Sequence, residues 1–252
     1  MSAIDWDKVK FRASSWGNLL AESKTKGELV GKTAAAELVK IYNRLKYGRK
    51  KDITTTAMDK GKQLQADGIR LFSMMEGELY RENNDQLESE WFCGMPDMYS
   101  GESITKAIQL WDLKNSFELD TFTPKLIDGI DKSHEAQINV YFDLCNCDEG
   151  GIVHTLLSAP ENILMAEKRK LLYNMNVISE ESKEYLDACA ELEKLLTFED
   201  IPHEERIIKF PVKRNDELIQ KMKDKVPIFR EWLFNLERKH LSIYPKDVTL
   251  EV

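Results

Sequence analysis

Two aspartates and a lysine lie close together in the segment CGMPDMYSGESITKAIQLWDLKNSF (93–117). Asp97 follows a proline, and Asp112 and Lys114 are two positions apart in an apolar run. Because side chains alternate between the faces of a strand, Asp112 and Lys114 would share one face while Leu113 points to the other. A connection between two strands could bring Asp97 to the same edge. The pattern therefore predicts two carboxylates and an amine that converge at the edge of a sheet.

This combination of groups is suited to the hydrolysis of phosphodiester bonds. Asp97 and Asp112 offer the hard oxygen ligands that Mg²⁺ prefers and that Mn²⁺ also accepts, and the carbonyl of Leu113 could complete the set. Such a cation polarises a phosphate and lowers the pKa of a bound water. The amine of Lys114 could orient or deprotonate that water and balance charge in the transition state. The alternative is a surface ion pair between Asp112 and Lys114, because Asp-x-Lys is a common tripeptide.

The elements that must position these residues indicate an α/β protein. Helical spacing of apolar residues predicts helices over 34–48, 53–79, 134–146 and most of the last third of the chain. Strands are predicted over 86–100, 104–117, 150–160 and 205–212. The apolar character of 104–117 favours a strand that is buried on both faces, and Pro211 favours an edge position for the last strand. We predict a single domain over 1–252, with a mixed central sheet flanked by helices and with helical N- and C-terminal segments.

Composition and charge limit the function of the chain. Its 252 residues are 42% hydrophobic and 32% charged, which is typical of a globular protein with a sizeable core. The sequence has neither an apolar run of about 20 residues nor an apolar secretion signal, so we expect a cytoplasmic protein without a membrane partner. The net charge of −8 argues against coating nucleic acid. The segment KIYNRLKYGRKK (40–51), however, has six basic residues and no acidic one, which suits a phosphate backbone or a solvated helix end.

The cysteines and histidines show no familiar metal-binding spacing. Reduced thiols are expected in a cytoplasmic protein, and the simplest interpretation is that they are small buried apolar side chains. Because some nucleases carry iron–sulfur centres on scattered cysteines, such a cluster is the alternative. We expect each histidine to be structural or exposed. The residues concerned are Cys93, Cys145, Cys147, Cys189, His134, His154, His203 and His240.

Several motifs, in order, resemble the PD-(D/E)XK nuclease superfamily in its phage lambda-type exonuclease and YqaJ-like branch. The pair PD at 96–97 followed by DLK at 112–114 looks like the superfamily signature. The segment MDKGKQLQADGIRLF (58–72) is similar to an upstream motif helix of that branch, and EAQINVYFDL (135–144) to the helix after the catalytic strand. FRASSWGNLL (11–20) resembles an early helix start that contains serine. The resemblance covers most of the chain.

The resemblance implies a restriction-endonuclease-like core and a metal-dependent DNA nuclease. It implies an exonuclease on double-stranded DNA ends, in phage-type recombination or DNA processing. Asp97, Asp112 and the Leu113 carbonyl would hold Mg²⁺. Gln137 and Tyr141, one helical turn apart, would face the same site. Implied partners are DNA, a single-strand annealing recombinase and further copies of the chain in a homo-oligomer.

The same resemblance implies contacts between DNA phosphate and Arg12, Ser14 and Ser15 at the early helix start. The alternative is that the two serines only cap the helix. Lys60 and Lys62 lie on the upstream motif helix, where they could face either DNA or solvent.

One residue departs from the family pattern. The upstream motif usually has a glutamate where this chain has Gln65. An amide oxygen can still bind a metal, but the lost charge would weaken a second metal more than a first. Asp67 lies about 200° further round a helix and does not replace it. We therefore expect an active nuclease, with a catalytically weakened DNA-binding or recombination-partner protein on the same fold as the alternative. The scattered cysteines add a third alternative, a Cas4-like iron–sulfur nuclease.

Overall fold

The fold combines two β-sheets with helices packed on their faces. The computed structural model describes residues 4–49, 54–176 and 179–243. Its strands are β1 (Phe11–Arg12), β2 (Arg81–Glu82), β3 (Leu87–Glu88), β4 (Phe92–Gly94), β5 (Met98–Gly101), β6 (Ala107–Ser116), β7 (Glu149–Leu156) and β8 (Ile207–Lys213). Its helices are α1 (Trp16–Leu19), α2 (Lys32–Tyr47), α3 (Thr56–Gln63), α4 (Gln65–Glu76), α5 (Leu119–Phe122), α6 (Lys125–Asp128), α7 (Lys132–Cys145), α8 (Glu161–Asn174), α9 (Lys183–Leu196) and α10 (Asp216–Ile243).

The larger sheet is mixed, with the strand order β2-β5-β6-β7-β8. β6 pairs antiparallel with β5 and parallel with β7, so it is the central strand. Helices α3 and α4 contact β6 as α7 does, and the middle of the strand is buried, as its apolar sequence predicts. β8 is an edge strand, where Pro211 needs no ladder partner on its outer side. The smaller sheet has the order β1-β4-β3.

The main hydrophobic core lies between α7, α10, the first helices and the smaller sheet. Aromatic rings dominate it: Phe11, Trp16, Phe92 and Phe229 are fully buried and pack mainly edge to face. A second cluster joins α4 to β5 and β6. In the described ranges, no helix is both long enough and apolar enough to cross a membrane.

The predicted helix over 53–79 is wrong in its continuity, because it breaks at Leu64 into α3 and α4. Residue 53 lies outside the described residues. The break separates two kinds of packing. A Cβ on Gly61 in α3 would meet nothing within 4 Å, whereas a Cβ on Gly68 in α4 would lie 2.7 Å from Leu113 Cδ2. The close approach of α4 to β6 therefore requires a glycine at position 68, whereas Gly61 of α3 faces open space.

The predicted strand over 86–100 is also interrupted: β3 and β4 belong to the smaller sheet, and β5 belongs to the larger one. Pro96 lies between β4 and β5 and has no backbone N–H to continue a ladder. The chain changes sheet at this point, and the residue that follows the proline is Asp97.

Candidate active site

The hairpin of β5 and β6 brings the predicted carboxylates and amine together. Met98 pairs with Trp111, so Asp97 stands beside Asp112 across the hairpin. The Asp97 carboxylate accepts a hydrogen bond from the backbone N–H of Leu113 at 2.7 Å. Lys114 Nζ lies 2.6 Å from Asp112 Oδ2. The arrangement is local to one hairpin, since strand alternation and the turn at residue 96 suffice to build it.

Helix α7 covers this group with two further side chains. Gln137 Nε2 donates to Asp112 Oδ1 at 3.1 Å and to Tyr141 Oη at 2.9 Å. The Tyr141 ring packs against the backbone of β4, where a Cβ on Gly94 would be only 2.6 Å from the ring. The structure therefore places Asp97, Asp112, Lys114, Gln137 and Tyr141 in one group, as their spacing and the resemblance predict.

The group has an excess of buried negative charge. Asp112 is 1% exposed, and its Oδ2 receives no well-directed hydrogen bond among the described residues, although Lys114 is close. Burial, and then the neighbouring Asp112, raise the pKa of Asp97. Burial alone would lower the pKa of Lys114, but the two carboxylates outweigh it and the net shift is upward. Two carboxylates thus face a single ammonium group in a poorly solvated place.

These donors fit a hard divalent cation. A buried carboxylate oxygen without a well-directed donor, next to a second carboxyl group, is stabilised by a cation with oxygen preference. Leu113 lies between Asp112 and Lys114 in β6, and its backbone carbonyl is the third predicted ligand. Within the described ranges, no three His, Cys, Asp or Glu side chains gather at one point, so the protein ligands would be two carboxylates and a carbonyl.

Gln65 contacts Glu82, a residue that is distant in the sequence. It begins α4, and its Nε2 donates to Glu82 Oε1 at 3.0 Å. Glu82 lies on β2 opposite Met98, the residue after Asp97. The neutral amide thus has a carboxylate beside it, which no local spacing could predict because only the pairing of β2 with β5 brings it there.

The structure corrects the expectation that Lys60 faces DNA. Lys60 is 1% exposed, and its ammonium donates to the carbonyls of Ser116 at 3.2 Å and Phe117 at 2.7 Å. The rings of Phe117 and Phe198 lie 5.4 and 5.2 Å away, and burial lowers the pKa of Lys60 to about 8. Lys60 therefore joins α3 to the end of β6. Lys62 is exposed.

Arg12, Ser14 and Ser15 line a cleft of about 690 Å³ together with basic and polar residues of the 40–49 segment. Ser15 Oγ donates to Glu37 at 3.1 Å and makes no cap bond to α1, so the capping alternative does not hold for this serine. The cleft also contains one acidic residue, Glu37, and further residues of the 40–49 segment, namely Lys40, Ile41, Asn43, Arg44, Tyr47 and Arg49. Lys50 and Lys51 of the basic segment lie outside the described residues.

The Arg12 end of the cleft lies near Tyr141. A Cβ on Gly94 would meet the Tyr141 ring on one side and Ala13, from the turn that follows Arg12, at 3.2 Å. Burial, and then the charge of Arg12, lower the pKa of Arg44, which shows that two guanidinium groups share the cleft. Such a concentration of positive charge favours an anionic ligand.

The cysteines do not form a cluster site. All four lie in the described ranges as free thiols, and no three of them come together. Cys145 is buried, and burial and the nearby Cys147 raise its pKa to about 12. These thiols behave as small apolar side chains, so the arrangement gives no support to an iron–sulfur nuclease.

The fold is shared with solved exonucleases. A phage-related exonuclease from Haemophilus somnus 129PT superposes with a TM-score of 0.72, at 22% identity over 92% of this chain and 97% of that one. The alkaline exonuclease LHK-Exo from Laribacter hongkongensis superposes with a TM-score of 0.60, at 12% identity over 95% of this chain and 98% of that one. LHK-Exo in complex with dAMP gives 0.59, at 15% identity over 93% and 94%.

No family model matches the chain, and no curated protein matches it. The chain nevertheless has the fold of these exonucleases along nearly its whole length. The predicted α/β class with a mixed sheet flanked by helices is confirmed, and the chain shares its fold with these exonucleases.

Proposed function

We propose that the chain is a Mg²⁺-dependent deoxyribonuclease that works as an exonuclease on the ends of double-stranded DNA. The observation that carries this proposal is the group of Asp97, buried Asp112 and Lys114 on the central hairpin of an exonuclease fold. A role in phage-type recombination, with an annealing recombinase as partner and a homo-oligomer as the working form, belongs to the same proposal through the family resemblance.

The side chains of the site have separable tasks in this reaction. Mg²⁺, held by Asp97, Asp112 and the Leu113 carbonyl, would supply positive charge to the phosphate and lower the pKa of a water. Lys114 would orient the water or a phosphate oxygen and offset the negative charge that develops in the transition state. Gln137 holds Asp112, and Tyr141 holds Gln137.

The cleft around Arg12 and Arg44 would bind the DNA backbone. It lies next to Tyr141 across Gly94, so a strand bound there would continue into the carboxylate group. The complex of LHK-Exo with dAMP supports a nucleotide ligand for a protein of this fold. An acidic chain can act on DNA when its positive charge is concentrated in one groove, as it is here.

A catalytically weakened DNA-binding protein is the second candidate. The contact between Gln65 and Glu82 favours it, because an amide stands where the family has a carboxylate and is already engaged by a neighbour. Such a protein would bind DNA through the same cleft without turning it over.

Digestion of linear and closed circular double-stranded DNA, with Mg²⁺ and with chelator, tests the proposal. We expect loss of the linear DNA alone, only with metal, and a fall of at least about 100-fold in rate for Asp112→Asn and Lys114→Ala. Lys106→Ala is the matched control, since Lys106 lies on the same hairpin in an exposed ion pair with Glu102.

Nicking of the circle would indicate an endonuclease. Cleavage by both site variants at the rate of the unchanged protein would refute the assignment. Binding without cleavage would support the second candidate.

A further inference from the structure

Two histidines lie on the same side of the central sheet as Lys114. On α7, His134, Gln137 and Tyr141 are spaced by three and four residues and therefore share one helix face. Gln137 contacts Asp112 on β6. Lys114 is the next residue of β6 on that side, and His134 lies one helical turn from Gln137. The imidazole of His134 therefore lies at one end of the face of α7 that points toward the site.

The second imidazole comes from β7. His154 pairs in parallel register with Lys114, so the two side chains leave adjacent strands on the same face, about 4.8 Å apart at the backbone. His154 is 6% exposed, and its ring lies 6.2 Å from the ring of His134 and 5.9 Å from that of Phe210. The histidine hydrogen bonds in the described part of the chain are those of His240, so neither ring of the pair has a partner.

Burial favours the neutral form of both imidazoles. Burial, and then His134 and Lys125, lower the pKa of His154 to about 4. Burial, and then the ammonium of Lys114, lower the pKa of His134. The other charged groups that act on the pair are Asp112 and Asp131. The pair in its neutral form adds no positive charge beside Lys114.

We propose that His134 and His154, the histidine pair, are positioning residues for Lys114. Lysine has a flexible four-carbon stem, and an ammonium group with solvent on one side can leave its carboxylate partner. On this proposal the pair covers part of the Lys114 side chain, which is 29% exposed, and so keeps the ammonium at Asp112. The catalytic consequence rests on the proposed function, whereas the placement of the ammonium group does not.

The placement can be measured without activity. Reductive methylation with formaldehyde and borohydride, read by peptide mass spectrometry, reports how freely each lysine amine reacts. In His134→Ala we expect Lys114 to react several-fold faster than in the unchanged protein, while Lys106, which is exposed, reacts at the same rate in both. His203→Ala is the control, because His203 is an exposed histidine in a different part of the chain.

The kinetic effect follows from the same variants. If Lys114 loses its position, the single-turnover cleavage rate should fall by about 10- to 100-fold with unchanged DNA affinity. His154→Gln serves as a second variant, and thermal unfolding shows whether each protein is folded. Since His134 is only half-buried, His134→Ala decides the question if His154→Gln does not fold.

The outcomes separate this proposal from the proposed function. Faster labelling of Lys114 in a protein that never cleaves DNA would support the histidine pair and count against the nuclease. Unchanged labelling overturns the pair, whether or not cleavage falls, because a loss of cleavage alone would mean that the imidazoles act on the substrate directly.

Discussion

Asp97 is the residue at which folding and chemistry conflict most directly. Asp97 is half-buried beside Asp112, and its pKa is raised from the usual value of about 3.9 to about 8. In the interval between these two pKa values the folded protein binds more protons than the unfolded chain. Without metal, the free energy of unfolding should therefore decrease as pH rises from about 4 through that interval. A bound cation would remove this penalty.

Asp97→Asn should accordingly stabilise the metal-free protein at pH 8 while abolishing cleavage. The amide oxygen can still accept the hydrogen bond from Leu113, but it introduces no second buried charge. We expect a higher midpoint of thermal unfolding in chelator, a flatter dependence on pH between about 5 and 8, and little further stabilisation by Mg²⁺.

Thermal unfolding of both proteins across that pH range, with chelator and with Mg²⁺, checks this. If the metal-free stability of the unchanged protein depends on pH in the same way as that of the variant, then Asp97 is not destabilised by its surroundings.

At the scale of elements, the spacing between α4 and β6 supports the site. Leu113 lies between Asp112 and Lys114, and its side chain touches α4 where Gly68 leaves no room for a Cβ. Gly68→Ala should destabilise the protein by about 1–3 kcal/mol and lower the cleavage rate, because Leu113 must shift. Gly61→Ala, in the open part of α3, should stabilise it by about 0.5–1 kcal/mol and leave cleavage unchanged.

Urea unfolding measures both changes. Equal effects of the two substitutions would contradict the close packing of α4 on β6, since they differ in packing and hardly in helix propensity.

The elements themselves were only partly predictable. β6, α7, β7 and β8 follow from apolar spacing, because each has one consistent environment along its length. The break at Leu64 has no strong sequence signal, since neither glycine nor proline occupies that position. The two helices contact different parts of β6, since α3 bonds to Asn115 and Ser116 near its end whereas α4 packs on Leu113.

At the scale of the whole molecule, charge is separated. The chain has a net charge of −8, yet Arg12 and Arg44 share one cleft, whose Arg12 end lies near Tyr141. DNA would therefore be attracted to one part of the surface and repelled by much of the remainder.

Arg44→Ala should weaken DNA binding and leave the single-turnover rate on saturating DNA nearly unchanged. We expect the slope of log affinity against log salt concentration to decrease by about 1. Binding measured by fluorescence anisotropy over a salt series checks this, with Lys239→Ala on α10 as a basic, exposed control. Equal losses for both variants would show that the cleft has no special part in binding.

The sequence by itself determined the hairpin group. Strand alternation and one short connection are enough to bring together Asp97, Asp112 and Lys114. The helical repeat is enough to put Gln137 and Tyr141 on one face of α7, so local geometry predicts both sets. A resemblance of motifs in order then indicated the fold, which the solved exonucleases confirm.

Only the tertiary structure decided the contacts that depend on distant parts of the chain. Lys60 bonds to Ser116, 56 positions away, and Gln65 meets Glu82 through the pairing of β2 with β5. The rings of His134 and His154 lie close together because α7 packs on β6 and β7, which pair in parallel. Strand register and helix rotation are set by the packing of the whole core, and a pattern read along a single segment contains neither.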